Sequence, residues 1–244
     1  MSAPEVGRGL FLPSIFVIVG FMVLIALGTW QIERKAWKEQ LIETLRQRVS
    51  APPVALSQIV RTGQDSANSE FERVVFRATF DHGLEALVYT VGSALRPDVT
   101  GRGYWVFTPA RLPDGQTVVV NRGFVPEDRK DPRTRAEGQV EGAIEIVGVL
   151  RRPEPRGIFT PKDDPANNVW YLRDHRVIAA AKGWGDVGWF FIDQDSPPAP
   201  GGLPRTGVLS VELRNEHLQY ALTWYGLAAV LAVVFGFWVR KRRA

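Results

Sequence analysis

Polarity along this chain falls into an apolar run, a long mixed stretch and a second apolar run. Leu10 to Leu27 is interrupted only by Pro13, Ser14 and Gly20, and Leu218 to Val239 is 22 residues without a charge. At ~1.5 Å per helical residue, each run suffices to cross a ~30 Å hydrocarbon layer. A secretory signal with Ala26-Leu27-Gly28 as cleavage site is the rival reading of the first run. Its length exceeds the ~7–15 residues of a signal core, and Arg8 is offset by Glu5, which favours an uncleaved helix. Beyond it Trp30, Trp37, Leu41, Leu45 and Val49 recur at near-helical spacing among Glu33, Lys38, Glu39 and Arg46. That pattern predicts an amphipathic stalk helix over 31–49, packed on the soluble part and stopped at Ser50-Ala51-Pro52-Pro53.

The middle reads mostly as strands. Residues 54–70 look loop-like. Val74 to Phe80 alternates, Leu87 to Val91 is a second run, and Ala143 to Leu150 alternates again. Tyr104 to Pro109 and Thr117 to Asn121 flank Leu112-Pro113-Asp114-Gly115, which predicts a hairpin: proline presets φ, and Asp and Gly suit the turn's end. Residues 126–139 read as an exposed charged loop, Pro153 to Pro165 as irregular, and Val169 to Lys182 as helix. Trp189 to Asp193 and Val208 to Leu213 read as the last strands. The fold class is therefore a membrane protein with two transmembrane helices flanking an α+β domain, built on an antiparallel sheet or small barrel.

Charge orients this arrangement. Arg240-Lys241-Arg242-Arg243 follows the second run directly and marks a cytoplasmic end. Two spans put both ends on one side. The expected pieces are a cytoplasmic segment 1–9, a first span 10–30, an extracytoplasmic domain 31–216, a second span 217–239 and a basic cytoplasmic tail 240–244. In a bacterium this is an inner-membrane protein with a periplasmic domain. The net charge of +4 rests largely on the tail, so it speaks for lipid rather than nucleic acid. The chain has no cysteine, which removes disulfides, thiolate catalysis and iron–sulfur clusters together.

Antiparallel spans would bring Gly28-Thr29-Trp30-Gln31 and His217-Leu218-Gln219-Tyr220 to the same membrane face. His217, Tyr220, Ala221, Trp224 and Ala228 share one helical stripe. An ionisable group there is either a functional site or a residue sitting in water at headgroup depth. Asn121-Arg122-Gly123 ends a strand, with Gly123 able to take φ > 0 and Arg122 offering donors for a carboxylate or an acid of the domain. Asn167-Asn168 before Val169-Trp170 suggests a helix cap and a buried tryptophan. Asp163-Asp164 and Asp193/Asp195 lie in proline-rich surroundings and read as solvated. The chain shows no nucleophile elbow, and Gly101-Arg102-Gly103 lacks the rest of a dinucleotide fingerprint, so enzymatic activity is not expected.

Three segments in order carry a resemblance: Leu27 to Lys38 (with Gly28-Thr29-Trp30-Gln31), Val120-Asn121-Arg122-Gly123-Phe124-Val125-Pro126, and Asn215 to Tyr225. With Gly103 to Pro109 and Asn167 to Tyr171, the chain resembles the Surfeit-locus-one family of cytochrome c oxidase assembly factors along essentially its whole length. Phe124 stands where that family often has tryptophan. The resemblance implies a non-enzymatic factor that binds haem a transiently and assists its insertion into the oxidase's main subunit. It implies His217 as axial ligand; an apolar macrocycle would then find its walls in Trp30, Tyr220 and Trp224. Arg34, Arg122 or Arg214 would meet the propionates, and Gln31, Asn121 and Gly123 lie in the shared motifs. Implied partners are the main oxidase subunit, other assembly factors, the haem a synthesis machinery and membrane lipid. A haem-free scaffold for an assembly intermediate is the alternative, and an anchored extracytoplasmic ligand sensor the third reading.

Overall fold

The computed structural model describes residues 8–61, 69–93, 95–210 and 215–243. It divides into two units, residues 1–43 with 213–244, and residues 44–212.

The first unit holds most of α1 (Arg8–Ser50) and all of α4 (His217–Arg243). Both helices are long and apolar enough to cross a membrane, and only 6% of each apolar window is buried. That exposure sets them apart from the core helices of a soluble protein. With 43 residues, α1 is roughly 65 Å long, well beyond a hydrocarbon layer. Its end is local chemistry: Pro52 and Pro53 disfavour helical backbone before them, and the Ala51 amide falls back on the Arg48 carbonyl at 3.3 Å. The expected stalk is thus continuous with the span. Along it Trp30, Trp37 and Leu41 remain exposed, and full burial begins only at Val49.

Where α1 and α4 meet, small residues set the approach. Ala221 and Ala228 are buried, and a Cβ on Gly28 would lie 2.5 Å from the Tyr225 ring. Close approach at small residues is how membrane helices gain packing without a hydrophobic drive. The Thr29 hydroxyl donates to the Ile25 carbonyl at 3.0 Å, and the Tyr225 hydroxyl lies 3.1 Å from Thr29 Oγ1.

The second unit is built on one sheet. Its elements are β1 (Val54–Ala55), α2 (Leu56–Arg61), β2 (Arg73–Phe80), β3 (Ala86–Ser93), β4 (Arg96–Arg111), β5 (Thr117–Pro126), β6 (Ala143–Arg151), β7 (Val169–Trp170), α3 (His175–Lys182) and β8 (Phe191–Ser196). The order is β1-β2-β6-β8-β5-β4-β3-β7. A further pairing of β2 with β4, Thr79 opposite Arg111 and Phe80 opposite Ala110, closes five strands into a ring. A small barrel is therefore present, but it is mixed rather than antiparallel: β1–β2, β3–β7 and β5–β8 run parallel.

The hairpin forms as its sequence dictates. The Gly115 amide donates to the Leu112 carbonyl at 3.0 Å, Gln116 N to Asp114 Oδ1 at 3.0 Å, and Gly115 takes φ +88°. Alternation sends Val74, Phe76, Ala78 and Phe80 of β2 into one core with Ala110, Val118, Val120, Ile146, Leu150 and Ile192. Neighbouring positions on β4, β5 and β8 (Trp105, Phe107, Val119, Phe124 and Phe191) form a second core against α3 and Trp170.

Several sequence expectations change. Residues 54–61 are a short strand and helix rather than loop, because Leu56 and Ile59 enter the first core. Residues 127–138 form two short 3₁₀ segments that bury Arg135 and Gly138. Residues 169–170 are strand, and the helix starts only at His175, capped by Asp174 rather than by Asn167 or Asn168. Asn168 instead takes a left-handed turn, donates to the Glu85 carbonyl and accepts from Lys182. The last strand shifts to Phe191–Ser196. Val208 to Ser210 is not strand, and residues 211–213 lie outside those described.

Candidate functional site

Two of the residues singled out in the sequence meet directly. His217 Nδ1 lies 2.7 Å from Gln31 Oε1. Gln31 belongs to α1 and His217 opens α4, so this bond joins the two apolar helices across 186 positions of sequence. The juxtaposition follows from antiparallel packing at Gly28 and Tyr225, which lie about one turn and about two turns deeper on their helices.

The chemistry of the bond fixes the imidazole. A glutamine carbonyl oxygen only accepts, so Nδ1 carries the proton and donates it. In that tautomer the lone pair sits on Nε2. Among the described residues nothing bonds Nε2, and His217 is half-exposed. Metal-binding histidines are commonly arranged this way, one nitrogen anchored by a neighbour and the other free.

The other two histidines differ. His82 takes a hydrogen bond on Nδ1 from Arg122 Nη1 at 3.0 Å and donates from Nε2 to the Val140 carbonyl at 2.9 Å, so both nitrogens are spent. Burial, with Arg122 adding to it, holds its pKa below the usual histidine value. His175 is fully buried, bonded to the Gly188 carbonyl at 3.2 Å, and burial pushes it down to about 4. Among the described residues no cluster of three His, Cys, Asp or Glu side chains is suited to a metal ion.

The aromatic residues are placed unevenly. Trp224 is half-buried on α4, whereas Tyr220 and Trp30 each keep 53% of their surface exposed. Arg34 lies over the Trp37 ring at 4.1 Å. Arg214 lies outside the described residues.

Asn121, Arg122 and Gly123 belong to the strand-rich unit and are engaged there. Asn121 Nδ2 donates to Asp193 Oδ1 at 2.7 Å, and its own oxygen accepts from Gly123 N at 3.2 Å. Gly123 takes φ +122°, and a Cβ there would overlap the Arg205 carbonyl. Arg122 does not pair with an acid as expected; it donates to His82 and the Gly138 carbonyl and lies over the Phe80 ring at 4.9 Å. Burial brings its pKa down to about 10. The acid in this region serves Asn121 instead. Asp193 and Asp195 are not solvated: both are buried, Asp193 with Arg151 at 3.1 Å and Arg173 at 3.7 Å, and Asp195 with Arg73 at 2.7 Å.

Comparison with known proteins decides the family. The sequence model of the SURF1 family matches residues 18–229. The SURF1-like protein of Monosiga brevicollis is 39% identical over 247 aligned positions, covering 98% of this chain and 91% of that relative. Surfeit locus protein 1 of Rattus norvegicus is 39% identical, over 88% of this chain and 71% of its own length. The Homo sapiens protein of that name is 36% identical, over 98% and 80%. The chain belongs to the SURF1 family.

The SURF1-family match takes in both Gln31 and His217 and the Asn121–Gly123 turn. What sequence reasoning missed in this family member is His82, 40 positions from its partner Arg122, and Asp193 as the hub of a buried polar network. Neither carries a motif. The run Phe191-Ile192-Asp193-Gln194-Asp195 is apolar then polar with no alternation, so nothing local marks Asp193 as buried.

Proposed function

We propose that this SURF1-family chain is a non-enzymatic assembly factor for a haem–copper cytochrome c oxidase. It is held in the bacterial inner membrane by α1 and α4, with both termini cytoplasmic and the barrel domain periplasmic. Its cargo is haem a, bound transiently and delivered towards the main oxidase subunit. The other partners are further assembly factors, the haem a synthesis machinery and lipid.

The observation that carries this reading is the His217–Gln31 bond between two membrane-length helices. With Nδ1 as the donor, Nε2 is left unbonded among the described residues, and it is the nitrogen that haem iron takes. The residues fit the group on that ground: the other two histidines are tied up or buried. Exposed Trp30 and Tyr220 offer apolar, aromatic surface beside lipid. When bound, haem a supplies the redox-active iron that the oxidase requires. The chain's part is to hold it. His217 lends Nε2, Gln31 keeps the ring in one tautomer and orientation, and Gly28 keeps the helices close. A single protein ligand suits a carrier that must release its load. The described donors of Arg122 are spent inside the domain, so propionate contact falls more naturally to Arg34.

The test is the visible spectrum of wild type and His217→Ala, each purified from cells making haem a. A haem a spectrum in the wild type that is lost in His217→Ala supports the carrier reading. A spectrum that survives the substitution overturns the ligand assignment. Absence of haem from both, with normal oxidase yield in the His217→Ala strain, favours the haem-free scaffold.

A further inference from the structure

Ile158 and Phe159 are each 92% exposed, side by side at the tip of the loop that follows β6. Large apolar side chains so fully in water are costly unless something covers them. The loop is not slack. The Thr160 amide donates to the Gly157 carbonyl at 3.1 Å, and Gly157 N donates to Thr160 Oγ1 at 3.0 Å, closing a tight turn around the pair. Outside it Arg156 Nη1 donates to the Pro161 carbonyl at 2.8 Å and Nη2 pairs with Asp163. Asp163 is in turn anchored by the Tyr171 amide at 2.9 Å. The prong is therefore presented in a preset shape, which lowers the entropy lost on docking.

We infer that Ile158 and Phe159 form a membrane-interface anchor that dips into an anionic lipid surface. Three features favour lipid over a protein partner. The apolar surface is two convex side chains at a tip, whereas a stable protein interface needs a broad patch with a polar rim. A fluid interface accepts such a prong without a matching pocket. The loop's charges also suit an anionic surface. Its two acids between 152 and 163 are both committed, Glu154 to Arg173 and Asp163 to Arg156, while Lys162 stands exposed three residues from Phe159. Finally, a chain with two membrane-length helices holds its domain at high effective concentration near a bilayer, so a weak two-residue contact is enough. This inference rests on the membrane reading proposed above.

The absence of cysteine makes the test direct. The full chain is placed in phospholipid discs containing phosphatidylglycerol, with one spin label at Ile158→Cys and Phe159 intact. Collision with oxygen, which concentrates in lipid, is compared with collision with a water-soluble nickel chelate. Labels at Asp114→Cys in the hairpin turn and Val233→Cys on α4 serve as water and lipid references. The expected result is an oxygen-to-nickel ratio at 158 severalfold above that at 114, falling back when Phe159→Ser is added. A ratio equal to that at 114, with 233 reading lipid, overturns the anchor and leaves the membrane reading standing. A label at 158 shielded from both reagents also overturns it, in favour of a protein contact. Water-like values at both 158 and 233 overturn the membrane reading and the anchor together.

Discussion

Gln31 accepts a hydrogen bond from His217 Nδ1 across 2.7 Å, so one helix sets the tautomer of a histidine on the other. Neighbours that orient a ligating histidine typically change metal affinity about 10- to 100-fold when removed. On the carrier reading proposed above, Gln31→Leu is expected to bind haem a about 10- to 100-fold more weakly than wild type. His217→Ala should lose it altogether. Haem a titration followed by absorbance separates the two; equal affinity for wild type and Gln31→Leu would sink the orienting role.

Gly28 is expected to tolerate no side chain while Tyr225 is present. A Cβ would stand 2.5 Å from the ring, and forced overpacking costs about 1–3 kcal/mol. Thermal unfolding of the full chain in detergent should show Gly28→Ala destabilised. In a Tyr225→Ala background the same substitution should cost close to nothing, a coupling read by the double-mutant cycle.

Asp193 holds together Asn121, Arg151 and Arg173 from three separate segments. Removing its carboxylate would leave the buried Asn121 amide without its acceptor, while Arg151 keeps Glu70 and Arg173 keeps Glu154. Asp193→Ala is expected to cost about 1–3 kcal/mol, whereas Asp128→Ala at the surface should stay within about 0.5 kcal/mol. Denaturant midpoints of the two variants make the comparison. Similar midpoints would mean that the network is dispensable.

Burial holds His175 at about 4 against an ordinary 6.5. Between those values the unfolded chain takes up a proton that the folded chain refuses. Stability is thus complete above about pH 6.5 and declines as pH falls towards 4, by roughly 3 kcal/mol over the window at ~1.36 kcal/mol per unit. His82 is shifted the same way and adds to the slope. Melting temperatures between pH 7.5 and 4.5 should fall steeply for wild type and more gently for His175→Phe. Parallel curves would refute the assignment.

Local pattern made part of this molecule legible. The two apolar runs, the stop at Pro52-Pro53 and the Leu112–Gly115 hairpin each depend on neighbours within a few residues, and each formed as read. The meeting of Gln31 with His217 was legible too, because two antiparallel helices of known start and end leave little choice of register. Parallel pairing was not. β8 lies beside β5 through Val119 opposite Phe191, two segments that no turn connects, so the mixed character of the sheet had no local signature. Asp193 and Asp195 looked solvated because their partners Arg73, Arg151 and Arg173 arrive from elsewhere in the chain. Asn168 looked like a cap because Asn often is one, yet tertiary contacts with Glu85 and Lys182 drew it into a left-handed turn.

The ring of strands also bears on how another protein can engage this domain. The outermost strands, β1 and β7, are two residues each, and they cover Val74–Val75 of β2 and Leu87–Val88 of β3. What remains open along those edges is Arg73 and Phe76 to Ala78 of β2, and Ala86 and the part of β3 from Tyr89 onward, where pairing with β4 slips register. An incoming chain would find no long straight row of amides and carbonyls to extend. Recognition by strand addition is thereby discouraged, as is edge-to-edge aggregation. Any protein that engages this domain would read it through side chains and loops, and could leave again without unzipping a sheet.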